Sequence, residues 1–342
     1  LPDWVAARVR GTAVVVTRER GEGVVLYTVN FAPVTKMGDV LPALVRLSWV
    51  ANESDRPIKG LVLRHKLRGM RIEGLDKRNG LVLLSHGGTK MAFGTVGVRP
   101  KVEGSDVIVK LPKIPPGRSV GMLSFLAIGK YSPKTLSGAL KGKVFHLLSG
   151  LLPGEQSIAE ILQHGDGLLS STIKWWRLWR SSGLRIRTPD ERVDDFLDTA
   201  LVLCKAQQDR LGAFSPMHGY TFYWIRDANG PIRLFLICGL FGDVLSCLRY
   251  HSRACFYFRS VPNAVSAGLD IEGWPEERVN WSELKVPRAE IASFVVLQHV
   301  WYWRATGDLS VAKEHLPMLE RCIFGQELKP DGRLPFHGDE TY

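Results

Sequence analysis

The residue types best suited to chemistry lie in one short stretch, Tyr220 to Asn229. It reads Tyr-Thr-Phe-Tyr-Trp-Ile-Arg-Asp-Ala-Asn and leads into the long apolar run from Ile232 to Leu248. Aromatic faces can stack on the C–H surfaces of a sugar, while an adjacent Arg and Asp can donate to and accept from its hydroxyls. Trp224, Arg226 and Asp227 therefore predict a polyol-binding site at the start of a helix. The alternative is an Arg–Asp pair that only anchors that helix.

The composition limits the kinds of partner. The chain has 342 residues, 45% of them hydrophobic, which predicts a globular protein with one large and one small domain or two domains. Its formal net charge is +11, but the Lys and Arg residues are dispersed, without a block of five or more, so we expect no nucleic-acid partner. No apolar run reaches the roughly 18 residues that span a membrane, and no signal peptide is visible.

Several kinds of site find no support in the sequence. The five cysteines are odd in number and lack Cys-x-x-Cys spacing, which argues against a zinc site or a disulfide framework, and we expect them to be small buried residues. The nine histidines show no metal-ligand spacing, and neither a Gly-x-Ser-x-Gly motif nor a glycine-rich phosphate loop occurs. The sequence therefore predicts neither a metal nor a cofactor.

Residues 1–150 have the pattern of an antiparallel β-sandwich domain. Short runs rich in β-formers alternate with turn-forming clusters, and Val45 to Trp49 show the two-residue period of a half-buried strand. No catalytic group of residues is evident here, so we expect a supporting domain. The predicted strands are Val24–Val29, Val45–Val50, Leu61–Leu67, Leu81–Leu84, Val107–Leu111 and Met122–Ile128.

The periodicity becomes helical after residue 150. Residues 151–187 are predicted to be linker helices, including a tryptophan-rich one that packs on the sandwich or offers a sugar platform. Thr188 is predicted to cap the next helix, with Pro189 at its first position and an apolar stripe beginning at Val193 and Phe196. Further helices are predicted at about 226–241, 243–258, 287–306 and 308–325. Residues 188–342 then form stacked helical hairpins.

The Tyr-x-x-x-Trp-x-Arg-Asp motif and this order of elements resemble the six-hairpin glycosidases, of the glucoamylase and maltose phosphorylase type. The resemblance is best over residues 188–342 and covers the N-terminal portion of such enzymes. It implies an α+β protein in which a β-sandwich precedes an incomplete (α/α)6 toroid. It also implies that Tyr220 lies near the anomeric centre, that Trp224 walls the sugar pocket, and that Arg226 and Asp227 bind hydroxyls.

The resemblance extends to two further segments. Trp281, Arg288 and Glu290 occupy places comparable to the tryptophan-bearing loop and polar helix start of the family's third hairpin. Glu290 is equally explained by the favourable field at a helix N-terminus. The sequence Gly338 to Tyr342 resembles the acid loop of maltose phosphorylases, which makes Glu340 the expected general acid and Asp339 the second choice. A polar tail without a catalytic role is the alternative.

The family pattern is incomplete in this chain. An inverting glycosidase needs a second carboxylate to activate water, and in the resembling families that base follows the eleventh helix. The sequence therefore predicts the N-terminal portion of an inverting, α-glucoside-type glycoside hydrolase, as a truncated chain or one member of a split pair. Its expected partners are an oligosaccharide and a C-terminal half-barrel or a second copy. An inverting phosphorylase, a rhamnosidase- or trehalase-like enzyme and a non-catalytic carbohydrate-binding protein are the alternatives.

Overall fold

A computed structural model describes residues 3–34, 38, 41, 43–78, 80–86, 89–96, 98–128, 167–216, 222–266, 280–326 and 328–333. The chain divides into two compact units, Leu1–Arg180 and Ser181–Tyr342. We call them the β unit and the helical unit. Together they make an α+β protein in which antiparallel sheets precede a helical region, as the sequence predicts.

The β unit contains two antiparallel sheets. Their strands are β1 (Asp3–Arg8), β2 (Val15–Gly21), β3 (Val24–Phe31), β4 (Ala43–Asn52), β5 (Val62–Lys66), β6 (Arg71–Asp76), β7 (Leu81–His86), β8 (Thr89–Val96), β9 (Lys101–Glu103), β10 (Asp106–Lys110) and β11 (Ser119–Ile128). The larger sheet has eight strands in the order β1-β2-β3-β4-β11-β8-β7-β6, and the smaller has the order β5-β10-β9. All six predicted strands are found, whereas β1, β2, β6, β8 and β9 were not predicted.

Side chains alternate along each strand, so the large sheet has two faces, and each of them carries buried apolar side chains. On one face Val25, Leu47 and Phe125 belong to the main core of the unit. On the other face Phe93 packs with Val107 of the small sheet, and Val50 packs with Leu111. The small sheet therefore lies on this second face, as in a β-sandwich.

Helix α1 (Leu168–Ser181) covers the first face of the large sheet. Leu169 and Ile173 belong to the same core as the strands, and the Thr172 hydroxyl accepts from the backbone N–H of Val34 at 2.8 Å. Trp176 is buried, with ring contacts to Trp175 and Trp179 at 5.1 and 5.6 Å. The tryptophan-rich helix thus packs on the sheet, which was the first of its two predicted roles.

The described part of the helical unit contains α2 (Glu191–Ala206), α3 (Asn229–Ile237), α4 (Phe241–Phe258), α5 (Ala289–Thr306), α6 (Ser310–Glu314) and α7 (Leu316–Phe324), with short strands β12 (Phe222–Trp224) and β13 (Ala264–Ser266). Helices α3, α4 and α7 all contact α5, and α3 also contacts α4. The core that these elements share includes Ile225, Cys255, Val295 and Met318. Within the described residues no helix is long and apolar enough to cross a membrane.

The prediction that Thr188 caps helix α2 is wrong. The cap is Asp190, whose carboxylate accepts from the N–H of Arg192 at 2.9 Å, so Pro189 lies outside the helix. Thr188 instead donates its hydroxyl to the carbonyl of Asp190. An Asp and a Thr two residues apart can both cap, and here the Asp is chosen. The predicted apolar stripe is also only partly buried, since Phe196 is 70% exposed and Leu201 only 1%.

The predicted helix 308–325 is broken into α6 and α7. Pro317 has no N–H, and its ring would clash with the carbonyl four residues earlier in a continuous helix. The chain therefore ends α6 at Glu314 and begins α7 at Leu316. The residue between them, His315, is only 3% exposed, so the break occurs inside the core.

His315 forms a buried pair with His299 of helix α5. The Nδ1 of His299 lies 2.8 Å from the carbonyl of Val295, so it carries the proton. Its Nε2 then accepts from Nδ1 of His315 at 2.9 Å. Burial lowers the pKa of each histidine to about 4, which keeps both rings neutral at pH 7.

Candidate functional site

The predicted sugar-binding residues lie on a tight turn between strand β12 and helix α3. The turn comprises residues 225–228, and the N–H of Ala228 donates to the carbonyl of Trp224 at 3.1 Å. Ile225 and Ala228 are buried at 1% and 0% exposure, while Asp227 is exposed. Two apolar side chains thus hold the turn on the core, and the acidic side chain is left facing solvent.

Strand pairing positions the tryptophan that precedes this turn. Trp224 is the last residue of β12 and lies opposite Ala264 of β13. Its side chain is partly buried, with its ring 6.4 Å from that of Phe222. Among the described residues none accepts a hydrogen bond from the buried indole Nε1. Buried indole donors usually find a partner, so the enclosed Nε1 of Trp224 is an unusual feature of this turn.

A buried glutamine holds the turn in place through hydrogen bonds. Gln298 of helix α5 is fully buried, and its Nε2 donates to the carbonyl of Ile225 at 3.0 Å and to Oδ1 of Asn229 at 2.8 Å. One side chain therefore ties both the turn and the first residue of helix α3 to helix α5. Because an unpaired buried polar group is costly, this arrangement strongly restricts the turn.

The direction of this hydrogen-bond chain follows from the carbonyl of Ile225, which can only accept. The amide nitrogen of Gln298 faces that carbonyl, so its Oε1 faces His251 and accepts from Nδ1 at 2.9 Å. The Nε2 of His251 then accepts from the Cys247 thiol at 3.6 Å. Burial lowers the pKa of His251 to about 4 against the opposing effect of Gln298, so this ring is also neutral.

An ion pair joins the turn to the beginning of helix α5. Nη1 of Arg226 lies 3.5 Å from Oε1 of Glu290, with 22% and 38% of the two side chains exposed. Glu290 is in the first turn of helix α5, where a carboxylate is also favoured by the helix dipole. The structure thus brings together two predicted site residues that are 64 positions apart.

The other two residues predicted in this segment lie just before helix α5. Arg288 is the residue that precedes the helix, and its guanidinium does not cap it. Trp281 begins a 3-10 turn, Trp281–Glu283, and its ring lies 6.2 Å from that of Phe256. Trp281 packs against the same core as Ile225. Three predicted residues, Tyr220, Asp339 and Glu340, lie outside the described residues.

The route of the chain into this segment is set at the end of helix α4. Arg259, which follows the helix, has the left-handed conformation with φ of 48° and ψ of 34°. The next residue, Ser260, forms a parallel bridge with Lys285, and the N–H of Val261 donates to the carbonyl of Lys285 at 2.9 Å. The loop that carries Trp281 is thereby attached to the end of helix α4.

A second acidic residue lies beside strand β12 and was missed in the sequence. Oδ1 of Asp209 accepts from the N–H groups of Leu211, Gly212 and Ala213 at 2.8 to 3.2 Å. Burial raises the pKa of this carboxyl despite those bonds. Burial, followed by the charge and hydrogen bond of Asp209, raises the pKa of Tyr223 to about 12.

These contacts make Asp209 a turn-forming residue that positions Tyr223, the neighbour of Trp224. Gly212 has φ of +107°, and a side chain there would lie 2.4 Å from the backbone of Ser246. The Asp-x-x-Gly spacing was a detectable turn signal. Gln298, His251 and Asn229 were missed as well, although a glutamine inside the apolar run of helix α5 marks a buried polar contact.

The described residues contain no group of three or more His, Cys, Asp or Glu side chains placed to hold a metal ion. What the turn offers is a set of groups for hydroxyls. The carboxylates of Asp227 and Glu290 accept, the guanidinium of Arg226 donates, and Trp224 contributes an indole ring. The arrangement suits binding of a polyhydroxy ligand.

Comparison with known proteins gives little further guidance. No model of a protein family matches the sequence, and no curated protein matches it. A heparinase III structure matches with a TM-score of 0.29 and 13% identity, over 38% of this chain and 22% of its own. A polysaccharide lyase structure matches with a TM-score of 0.23 and 9% identity, over 90% of this chain and 57% of its own. Scores this low assign neither a fold nor an activity.

Proposed function

We propose that this chain is part of a carbohydrate-active enzyme that binds the terminal sugar of an oligosaccharide on the turn between β12 and α3. The observation that carries the proposal is the ion pair of Arg226 with Glu290 beside the exposed carboxylate of Asp227. The pair orients the guanidinium, and the acidic side chain remains available to a ligand. A pure helix anchor would instead pair Arg226 with Asp227 and bury both.

The proposed reaction is hydrolysis of an α-glucoside with inversion. Glu340, or Asp339 in its place, protonates the glycosidic oxygen of the departing sugar. A second carboxylate, which we do not assign to a residue of this chain, removes a proton from water as it attacks the anomeric carbon from the opposite face. Asp227 and Arg226 hold hydroxyls of the terminal sugar, and the resemblance to six-hairpin glycosidases assigns Tyr220 a role at its anomeric centre.

Binding is tested by calorimetric titration of the chain with maltotriose, before and after the substitution Asp227→Asn. We expect the amide to weaken binding about tenfold or more, because a hydrogen bond to a charged group contributes about 1.5–3 kcal/mol. The matched control is Asp308→Asn. Asp308 is exposed just past the other end of helix α5, which is about 27 Å long. Equal affinities for both variants would favour the helix-anchor interpretation.

Catalysis is tested in a longer protein that contains this chain. Hydrolysis of an α-glucoside followed by NMR should first release the β-anomer, and Glu340→Gln should abolish it, because an amide keeps the shape but cannot deliver a proton. Phosphate-dependent formation of a sugar 1-phosphate would identify a phosphorylase instead. Sugar binding without turnover in the longer protein would identify a carbohydrate-binding protein.

A further inference from the structure

The two units differ sharply in charge. The β unit contains 27 Lys and Arg against 13 Asp and Glu, a net charge of +14, while the helical unit contains 18 against 21, a net charge of −3. The positive charge of the whole chain therefore resides in the β unit. A charge of this size favours anionic partners at that unit.

A row of polar residues crosses the second face of the large sheet within this unit. Thr17 of β2 lies opposite Thr28 of β3, and Asn30 of β3 lies opposite Arg46 of β4. Their side chains form a continuous hydrogen-bonded chain. Nε of Arg46 donates to Oδ1 of Asn30 at 2.7 Å, Nδ2 of Asn30 donates to Thr28 at 3.0 Å, and the hydroxyls of Thr28 and Thr17 are 2.7 Å apart. We call these four residues the polar row.

The chemistry of arginine sets the direction of this chain. A guanidinium can only donate, so the oxygen of the Asn30 amide faces Arg46 and its nitrogen donates to Thr28. Among the described residues Thr28 has no acceptor for its own proton except Thr17, so it donates to Thr17. The groups left over along the row are therefore donors: the Nη atoms of Arg46, one N–H of Asn30 and the hydroxyl of Thr17.

The positive charge at the end of the row is not neutralised within the described residues. Arg46 is exposed, and no carboxylate there forms an ion pair with it. His65, on the edge strand β5 of the small sheet, is 9% exposed, and its buried Nε2 has no described hydrogen-bond partner. Burial, and then the charge of Arg46, lowers the pKa of His65 to about 4, so this ring lies within the field of the guanidinium.

We propose that the polar row binds an acidic sugar, whose carboxylate pairs with Arg46 and whose hydroxyls accept from Asn30 and Thr17. Within the described residues the row offers donors and a positive charge without an ion pair, which suits a negatively charged ligand rich in acceptors. A uronic acid provides a carboxylate for the planar guanidinium and hydroxyls for the neighbouring donors. This assignment is independent of any hydrolysis by the helical unit.

The test uses the full chain and three probes of similar length in calorimetric titrations. Hexagalacturonate carries hydroxyls and carboxylates, maltohexaose carries hydroxyls only, and hexathymidylate is an anion of a different class. We expect hexagalacturonate to bind at least tenfold more tightly than either of the others. Equal binding of hexathymidylate would overturn the assignment in favour of a general polyanion surface, and no binding of hexagalacturonate would overturn it outright.

Variants locate the binding on the polar row. Arg46→Gln should weaken hexagalacturonate binding at least tenfold, whereas Lys101→Gln, the loss of an equal charge on the exposed strand β9, should weaken it less than twofold. Equal losses in both variants would show that net charge alone attracts the ligand. Should Arg46→Gln not fold, hexagalacturonate must still shift the NMR signals of the His65 ring in the unaltered chain, and unchanged signals would place the ligand elsewhere.

Discussion

Each unit contains a series of hydrogen-bonded polar side chains with a defined donor direction, but the two series have different roles. In the helical unit the hydrogen-bond series that links Gln298, His251 and Cys247 is buried. It begins at the backbone carbonyl of Ile225, which can only accept. In the β unit the polar row starts from Arg46, which can only donate, and it reaches the surface. An enclosed chain fixes the position of a turn, whereas an open one leaves donors for a ligand.

The largest expected contrast between the units is their response to acid. His251, His299 and His315 in the helical unit each have a pKa lowered to about 4 in the fold, against His65 alone in the described part of the β unit. Below pH 6.5 the unfolded chain binds protons that the folded chain does not, so stability falls until pH 4 is passed. At that pH, each buried histidine lowers the free energy of unfolding by about 3 kcal/mol relative to neutral pH.

Hydrogen exchange measured at pH 7.5, 6, 5 and 4 checks this contrast. Amides of helices α4 and α5 should lose protection between pH 6.5 and 4, well before those of strands β3, β4 and β11. Loss of protection at the same pH in both units would contradict the neutral assignment of the three buried rings.

Replacing the central residue of each hydrogen-bond series should lower the free energy of unfolding by unequal amounts. Gln298→Leu strands the carbonyl of Ile225 and two side chains inside the core, so we expect the free energy of unfolding to fall by about 3 kcal/mol. Asn30→Leu opens a chain that water can reach, and we expect about 1 kcal/mol or less. Denaturation by urea measures both. A larger loss for Asn30→Leu would reverse the distinction between enclosed and open chains.

Ion pairs within the helical unit extend the comparison to charged groups. Lys205 and Asp243 form a close pair with 17% and 16% of their side chains exposed, and Asp243 lies in the first turn of helix α4. Asp243→Asn should cost about 1–2 kcal/mol of stability. Glu290→Gln, at the more exposed pair with Arg226, should cost less than about 1 kcal/mol. Thermal unfolding of the two variants would rank them, and the reverse order would mean that Glu290 is a structural anchor.

The smallest expected effect is at the open end of the polar row. Arg46→Gln removes an exposed side chain, so the free energy of unfolding should change by less than about 0.5 kcal/mol. A loss of several kcal/mol in the same urea measurement would show that Arg46 supports the sheet, and the weakened sugar binding expected for this variant would then have a structural cause.

The elements that repeat a simple pattern could be predicted from the sequence. Strands such as β3 and β4 combine β-branched residues with flanking turn clusters, and α4 and α5 follow the helical period. The position of Arg226 and Asp227 just before a helix follows from the apolar run after them. Strands β1 and β2 contain several charged residues, and β9 has only three residues, so their hydrophobic pattern is too weak to predict a strand.

The contacts that build the candidate site could not be predicted in the same way. Gln298 bonds to the carbonyl of Ile225 across 73 positions, and nothing local to either residue encodes that meeting. The approach of Glu290 to Arg226 likewise depends on how helices α3 and α5 pack. The break at Pro317 could have been predicted from the sequence, because a proline clashes with the preceding turn of any continuous helix.

The left-handed conformation of Arg259 has a consequence for variation at that position. A residue without a branched side chain can hold this torsion, at a cost of about 1–2 kcal/mol that glycine would not bear. A valine or isoleucine there would force the backbone toward negative φ and turn the exit of helix α4 away from Lys285. The orientation of the segment that carries Trp281 and leads to Glu290 thus depends on the φ angle of Arg259, which lies 31 positions before that glutamate.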